Sequence, residues 1–182
     1  MSDEEFYNIT LALQTYYPKE NMFPNEQAIE LWFRQLNDID YKVMSTALDM
    51  WVNTNKWSPS ISDLREYCLK IEYGDLPDWG EAYEKVLKAV GNFGRTREKE
   101  ALESLDELTR KVVKMIGFQN ICMSNIDNRV HDRASFRDLF NNVAMKEREE
   151  MKKSENVKTR IAETRQAQLT ENIVNQLEAK DV

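Results

Sequence analysis

Few side chains in this chain could do covalent, metal or proton-transfer chemistry. The single histidine, His131, stands between valine and aspartate near the start of a predicted helix, where a surface or capping role accounts for it. Cys68 and Cys122 lie far apart in helical contexts, so they form neither a CxxC motif nor, with one histidine, a zinc site. We expect two buried free thiols and no metal.

The acidic clusters and glycines also lack the arrangement that catalysis needs. Glu149 and Glu150 alternate with lysine and arginine, which is typical of a solvated helix. Asp38 and Asp40 flank the loop before a predicted helix, and we interpret both as caps for free backbone N–H groups. No GxxxxGKS/T phosphate loop occurs, and the 5 glycines are dispersed. The sequence therefore predicts a protein that is not an enzyme, with no catalytic residue and no cofactor.

Aromatic side chains are the remaining candidates for a binding site. Stacking platforms for nucleic acid interleave aromatic residues with lysine and arginine, whereas the neighbours here are mostly Asp, Asn and Glu. We expect Trp32 and Trp51 to pack in a core. Trp57, beside a proline turn, is predicted to be a surface anchor, with Tyr41 near it.

Composition and charge favour an all-α protein that binds other proteins. Only 5 Gly and 4 Pro leave little turn chemistry for a multi-stranded sheet. The net charge is −7, and residues 1–72 hold 6 Lys or Arg against 12 Asp or Glu. An acidic surface repels phosphate, so we expect little direct nucleic-acid binding. An acidic N-terminus and the lack of a long apolar run predict no membrane association and a cytoplasmic location.

Helical periodicity and capping signals predict three parts. An N-terminal domain of about four helices spans residues 1–73 and ends at a hinge over residues 74–77. A second, three-helix domain spans 78–145, with one continuous helix expected from Leu102 to Ile116. Residues 146–182 form a charged C-terminal tail.

The tail differs sharply in composition from the rest of the chain. The 42 residues after Phe140 contain no aromatic residue, glycine or proline, so the packed core is predicted to end near Phe140. The tail is either a partly disordered, partly helical solvated segment or one that orders when it docks into a partner groove. The apolar residues at near-helical spacing in it are Val157, Ile161, Leu169, Ile173 and Leu177.

The stretch from Trp32 to Arg65 resembles the family of phage-encoded loaders and inhibitors of the replicative helicase. Its most distinctive part is the segment Lys-Trp-Ser-Pro-Ser-Ile-Ser-Asp-Leu-Arg at residues 56–65. The spacing of Trp79, Gly94 and Phe136 resembles the continuation in longer phage versions. The other residues that carry the resemblance are Leu36, Asp40, Tyr41, Val43, Ala47, Leu48, Trp51, Val52 and Thr54 in the first block, and Ala82, Val86, Leu105, Val112, Gly117, Ser124, Arg133 and Phe140 in the second.

This resemblance implies a function in the cytoplasm of a bacterial host. Proteins of this kind bind a hexameric DnaB-type helicase, restrain its ATPase and unwinding, and deliver it to an origin-binding initiator protein. They carry no ATPase domain, and their C-terminal part engages the helicase. This chain has a second domain where compact members of the family have only a disordered extension. Which part of the chain makes the main contact with the helicase is therefore left open. The residues that we predict to bind the partner are Arg133, Phe136, Arg137 and Phe140 at the root of the tail, Val157, Ile161, Leu169 and Ile173 along it, and Trp57 and Tyr41 on the N-terminal domain.

A DNA-binding initiator or transcription regulator is the alternative. It would use a helix-turn-helix within residues 40–71. The predicted second helix of that motif carries Arg65 and Lys70 against Asp63 and Glu66, whereas a recognition helix should be basic. The charge pattern therefore favours a protein partner.

The missing phosphate loop predicts that the protein does not bind ATP. Calorimetric titration of the purified protein with Mg-ATP should give only heats of dilution, with a helicase titrated in the same buffer as the positive control. Stoichiometric binding in the micromolar range would contradict the prediction.

Overall fold

The structure is a computed structural model that describes the backbone of residues 1–124 and 129–178 and the side chains of residues 1–124 and 131–173. Within these ranges it contains ten α-helices, one 3-10 turn at Arg95–Arg97 and no strand, which confirms the all-α prediction. The helices are α1 Asp3–Tyr16, α2 Glu26–Leu36, α3 Tyr41–Thr54, α4 Ile61–Tyr73, α5 Trp79–Phe93, α6 Glu98–Glu103, α7 Glu107–Ile116, α8 Phe118–Met123, α9 Arg129–Lys152 and α10 Glu155–Glu178.

Side-chain caps fix the starts of the first four helices. Ser2 and Glu5 form a reciprocal capping box at α1, with the Ser2 amide 2.8 Å from the Glu5 carboxylate. Ser60 opens α4 with a second capping box. The side chains of Asn25 and Asp40 accept backbone hydrogen bonds at α2 and α3. Each of these caps satisfies an amide that has no partner inside its helix, and the predicted capping role of Asp40 is confirmed.

The chain folds into two compact units. The first comprises Met1–Gly74 together with Met151–Val182, and the second is Asp75–Glu150. The boundary at Gly74, whose φ of 78° ends α4, falls at the predicted hinge. Residues from Met151 onward therefore group with the N-terminal helices, where the sequence suggested a separate tail.

The first unit is built around a core shared by α1 to α4. Phe6, Leu13, Met44 and Leu64 are almost fully buried there, and α3 packs chiefly on α4. The two tryptophans expected in this core are only half-buried. Trp32 contacts Phe23 edge to face, and Trp51 contacts Tyr67 in the same way. Both therefore lie at the rim of the core, where an indole N–H can reach a polar partner.

The described residues of the second unit form five helices, so the prediction of three was wrong. The helix expected from Leu102 to Ile116 is broken before Glu107. The Asp106 carboxylate accepts the Thr109 amide at 3.0 Å and the Thr109 hydroxyl at 2.9 Å, which starts α7 anew. Arg110 donates to the carbonyl of Leu102 at 2.7 Å and so holds the break. Helix α8 begins directly after Gly117 and was not predicted.

The core of the second unit extends along α9 to a few residues past Phe140. Phe136 stacks on Phe140 at a centroid distance of 5.7 Å and meets Tyr83 at 5.1 Å. Val143 and Ala144 follow on α9 and are only 7% and 5% exposed. Both residues lie within the bounds 78–145 predicted for the second domain, so the core ends close to Phe140, where the aromatic residues stop. The side chain of Val130, also expected in this core, lies outside the described residues.

The substitution Phe136→Ala should lower the free energy of unfolding by about 3–5 kcal/mol, because it leaves a cavity between packed rings. Urea denaturation followed by circular dichroism measures this change. Met115→Ala is the control, since Met115 is 59% exposed and its truncation should change stability by less than about 0.5 kcal/mol. Equal, small effects of the two substitutions would show that Phe136 is not a core residue.

Candidate partner-binding site

The four residues predicted at the root of the tail divide into two pairs. Phe136 and Phe140 are 1% and 0% exposed in the core of the second unit, so they cannot touch a partner while that core is intact. Arg133 and Arg137 are exposed on α9. Their guanidinium groups lie 5.2 and 6.0 Å from the centre of the Trp79 ring. This part of the predicted site offers two cations but no apolar anchor.

Trp57 is presented on a loop with a fixed shape. Its side chain is 70% exposed, and the ammonium of Lys56 lies 5.4 Å from the ring centre. The Nε1–H of Trp51 donates to the carbonyl of Trp57 at 2.8 Å, which ties the loop to α3. Tyr41, at the start of α3, is half-buried against the core of the first unit. Trp57 is therefore an accessible aromatic side chain on a braced loop, whereas Tyr41 offers only part of its surface.

The apolar residues of the tail lie on α10, which packs on α2 in the first unit. Val157 and Ile161 are half-buried. Leu169 and Ile173 are each 57% exposed, and every residue from 162 to 173 is exposed. The side chain of Leu177 lies outside the described residues. The stripe therefore divides into a covered first part and an exposed second part.

The start of α10 is held by a cluster of polar groups that we name the Arg65 clamp, formed by Gln35, Asp38 and Arg65. Arg65 binds Asp38 through two parallel bonds, Nη1 to Oδ1 at 2.8 Å and Nη2 to Oδ2 at 2.9 Å. Its Nη1 also donates to the carbonyl of Gln35 at 2.7 Å. Its Nε donates to the carbonyl of Lys152, the last residue of α9. Both charged side chains are nearly buried. The Nε, Nη1 and Nη2 groups of Arg65 thus all donate hydrogen bonds to acceptors within the first unit.

The same clamp binds the first residues of α10. The amide of Glu155 donates to Oδ2 of Asp38 at 3.1 Å. The hydroxyl of Ser154 donates to Oε1 of Gln35 at 3.0 Å and accepts the amide of Val157 at 3.3 Å. A guanidinium thus meets the negative end of α9, and a carboxylate meets the positive end of α10, the arrangement that helix dipoles favour.

The role of Asp38 differs from the one interpreted from sequence. Asp40 alone accepts the amides at the start of α3, from Lys42 at 2.8 Å and Val43 at 3.4 Å. Asp38 instead pairs with Arg65 and caps α10, which begins 117 residues later in the chain. Local sequence around Asp38 carries no sign of that distant partner. The one sequence feature that could have indicated a partner for Asp38 was Arg65, at the end of the distinctive segment 56–65.

The clamp also changes the ionisation of nearby groups. Burial works to raise the pKa of Asp38, but the hydrogen bonds from Arg65 and from the Glu155 amide outweigh it and hold the pKa below the ordinary 3.8. Burial raises the pKa of the Cys68 thiol to about 12, so Cys68 is an inert buried thiol, as predicted. Cys122 is free but only half-buried, so the prediction of burial was wrong for that thiol.

Within the described part of the chain, no three His, Cys, Asp or Glu side chains come together as a metal site would require. None of the described helices combines the length and apolar character needed to cross a bilayer.

These features define an all-helical protein with a capped four-helix N-terminal domain, an exposed apolar stretch on its last helix and no catalytic constellation among the described residues. Residues 1–65 match the family model for the N-terminal domain of a phage helicase loader and inhibitor. The predicted resemblance is confirmed for these residues. No curated protein and no solved structure matches the chain.

The depressed pKa of Asp38 predicts a particular pH dependence of stability. The contribution of the Asp38–Arg65 pair is present above the ordinary pKa of 3.8 and is lost as the pH falls through the lower pKa of the folded protein. Asp38→Asn should cost about 3 kcal/mol at neutral pH, because it leaves Arg65 nearly buried without its counter-charge. Melting temperatures measured from pH 7 downward should therefore converge for the two proteins only as the pH falls below 3.8 and through the folded-state pKa of Asp38. A constant difference at every pH would contradict this.

Proposed function

We propose that this protein binds a hexameric DnaB-type replicative helicase, restrains its activity and helps to load it at a replication origin through an initiator protein. The observation that carries the proposal is the match of residues 1–65 to the N-terminal domain of a phage helicase loader and inhibitor. The protein acts by binding and not by catalysis. To control the helicase in this way, the protein needs an exposed surface that binds it.

The exposed part of α10 is the surface that we assign to the helicase. Leu169 and Ile173 are four residues apart, so they lie on neighbouring turns of one helix face and present adjacent apolar side chains. An exposed apolar pair on a helix fits recognition by insertion into a groove of a partner. The covered residues Val157 and Ile161 precede them on the same helix.

Trp57 supports a second contact on the N-terminal domain. An exposed tryptophan on a braced loop loses little conformational freedom on binding, which is a property of residues that dominate interfaces. Lys56 beside it adds a positive charge in an otherwise acidic domain. If both the exposed part of α10 and the Trp57 loop bind the helicase, the N-terminal helices and α10 contact it at the same time.

The helix-turn-helix alternative loses support from the position of Arg65. Its guanidinium is bonded to Asp38, Gln35 and Lys152, so it is not available to a phosphate or a base edge. A recognition helix depends on such basic side chains. The remaining cation of that stretch on α4, Lys70, lies on a helix that also carries Asp63 and Glu66.

The double substitution Leu169→Glu with Ile173→Glu should weaken binding to a hexameric DnaB-type helicase by about tenfold or more, since apolar anchors contribute roughly 1–2 kcal/mol each. Relief of helicase ATPase inhibition should follow the loss of affinity. Gln168→Glu with Asn172→Glu is the control, because it adds the same charge at exposed polar positions of the same turns. Calorimetry measures the affinity, and circular dichroism checks that both variants stay helical.

Equal affinity of the two double variants and the wild-type protein would exclude the exposed stretch of α10 as the contact. Trp57→Ala in the same titration would then test the loop of the N-terminal domain. Failure of the wild-type protein itself to bind any hexameric replicative helicase of the host or the phage would overturn the proposed function.

A further inference from the structure

The contact that holds the first turns of α10 is mainly polar. The bonds that reach the segment from Lys152 to Glu155 from the N-terminal helices include those of Arg65 to the Lys152 carbonyl, Asp38 to the Glu155 amide, Gln35 to Ser154, and Glu66 to the Lys152 ammonium at 2.8 Å. The apolar residues there, Val157 and Ile161, are only half-buried. Polar bonds exchange readily for bonds to water, so such a contact gives a modest net stabilisation.

Opening this contact would strand no buried charge, because the Lys152 and Glu66 side chains that it separates are already 30% and 36% exposed to water. Arg65 and Asp38 bind each other through two parallel bonds, and Arg65 also binds the Gln35 carbonyl within the N-terminal domain. If the segment from Lys152 to Glu155 moved away, this pair would stay intact and gain water. Removing one member of a buried pair is costly, whereas wetting an intact pair is not. The clamp is therefore organised to release α10 without unfolding the four-helix core.

Release would also change which apolar residues α10 offers. While the clamp is closed, Val157 and Ile161 are half-buried, whereas Leu169 and Ile173 are each 57% exposed. A released α10 would present all four. A partner that binds the longer stripe would then compete with the N-terminal domain for the first turns of the helix, and the closed clamp would reduce its apparent affinity.

We propose that the Arg65 clamp is a releasable latch that covers the first turns of α10 in the free protein and opens when the helicase takes the helix. The latch rests on the proposed function for its partner, and it adds a regulatory role for Gln35, Asp38 and Arg65. These residues are positioning residues, because they act through α10 and need not touch the helicase.

The substitution Glu155→Pro tests the latch with little change elsewhere. Proline lacks the N–H that donates to Asp38, and it is well tolerated at the first position of a helix, which Glu155 occupies in α10. Glu155→Gln is the matched control, since it removes the same charge and keeps the amide. Gln35→Ala removes the bond from Ser154 independently and keeps the Ser154 hydroxyl that accepts the Val157 amide. Gln27→Ala is its control, because Gln27 is an exposed glutamine on the same helix.

Two measurements are made on the full-length protein. Amide hydrogen exchange of residues 156–165 in the free protein should be faster in Glu155→Pro and Gln35→Ala than in their controls. Affinity for the hexameric helicase should rise by about three- to tenfold in the same two variants, because the competing closed state is depopulated. A cooperative thermal melt of each variant checks that the four-helix core persists.

The outcomes separate the latch from the proposed function. Unchanged exchange in both variants overturns the latch without any reference to the helicase. Faster exchange with unchanged or weaker helicase binding overturns the competition and shows that the clamp holds α10 for another reason. If the wild-type protein and all variants fail to bind the helicase, the proposed function is overturned, and the competition with it, while the exchange result still decides whether the clamp holds α10.

Discussion

The two parallel bonds between Arg65 and Asp38 are the interaction on which the rest of the first unit depends. A nearly buried guanidinium and carboxylate must each fill their remaining hydrogen-bonding positions, and they do so with the end of α9 and the start of α10. One ion pair therefore joins residues from three distant parts of the chain. Polar bonds from this ion pair, more than apolar packing, therefore fix the position of the first turn of α10.

This arrangement explains how a thin apolar stripe can belong to an ordered helix. A stripe of isolated aliphatic residues buries too little surface to order a segment alone, which is the reasoning that suggested a separate tail. Polar bonds at the first turn supply the missing constraint, since Ser154 and Asp38 satisfy amides that would otherwise lack partners. The second half of the helix then extends with Leu169 and Ile173 exposed.

Local patterns predicted much of the fold, and long-range contacts account for what they missed. The caps at Ser2, Asn25 and Ser60 bind amides three residues away, so the sequence nearby identifies them. Asp38 satisfies the same local rule but is engaged by a guanidinium 27 residues away. For the candidate site, the sequence identified the stripe on α10, but burial excluded Phe136 and Phe140 as contacts. Packing of a side chain depends on neighbours that periodicity does not specify.

Helix α10 is the element that we propose to bind a replicative helicase. The measurement that tests it most directly is amide hydrogen exchange of the full-length protein with and without a hexameric DnaB-type helicase, because it maps the contact without any substitution. The amides of residues 155–173 should become strongly protected against hydrogen exchange when the helicase is added. Protection confined to the loop around Trp57 or to Asp75–Glu150, with α10 unchanged, would contradict it.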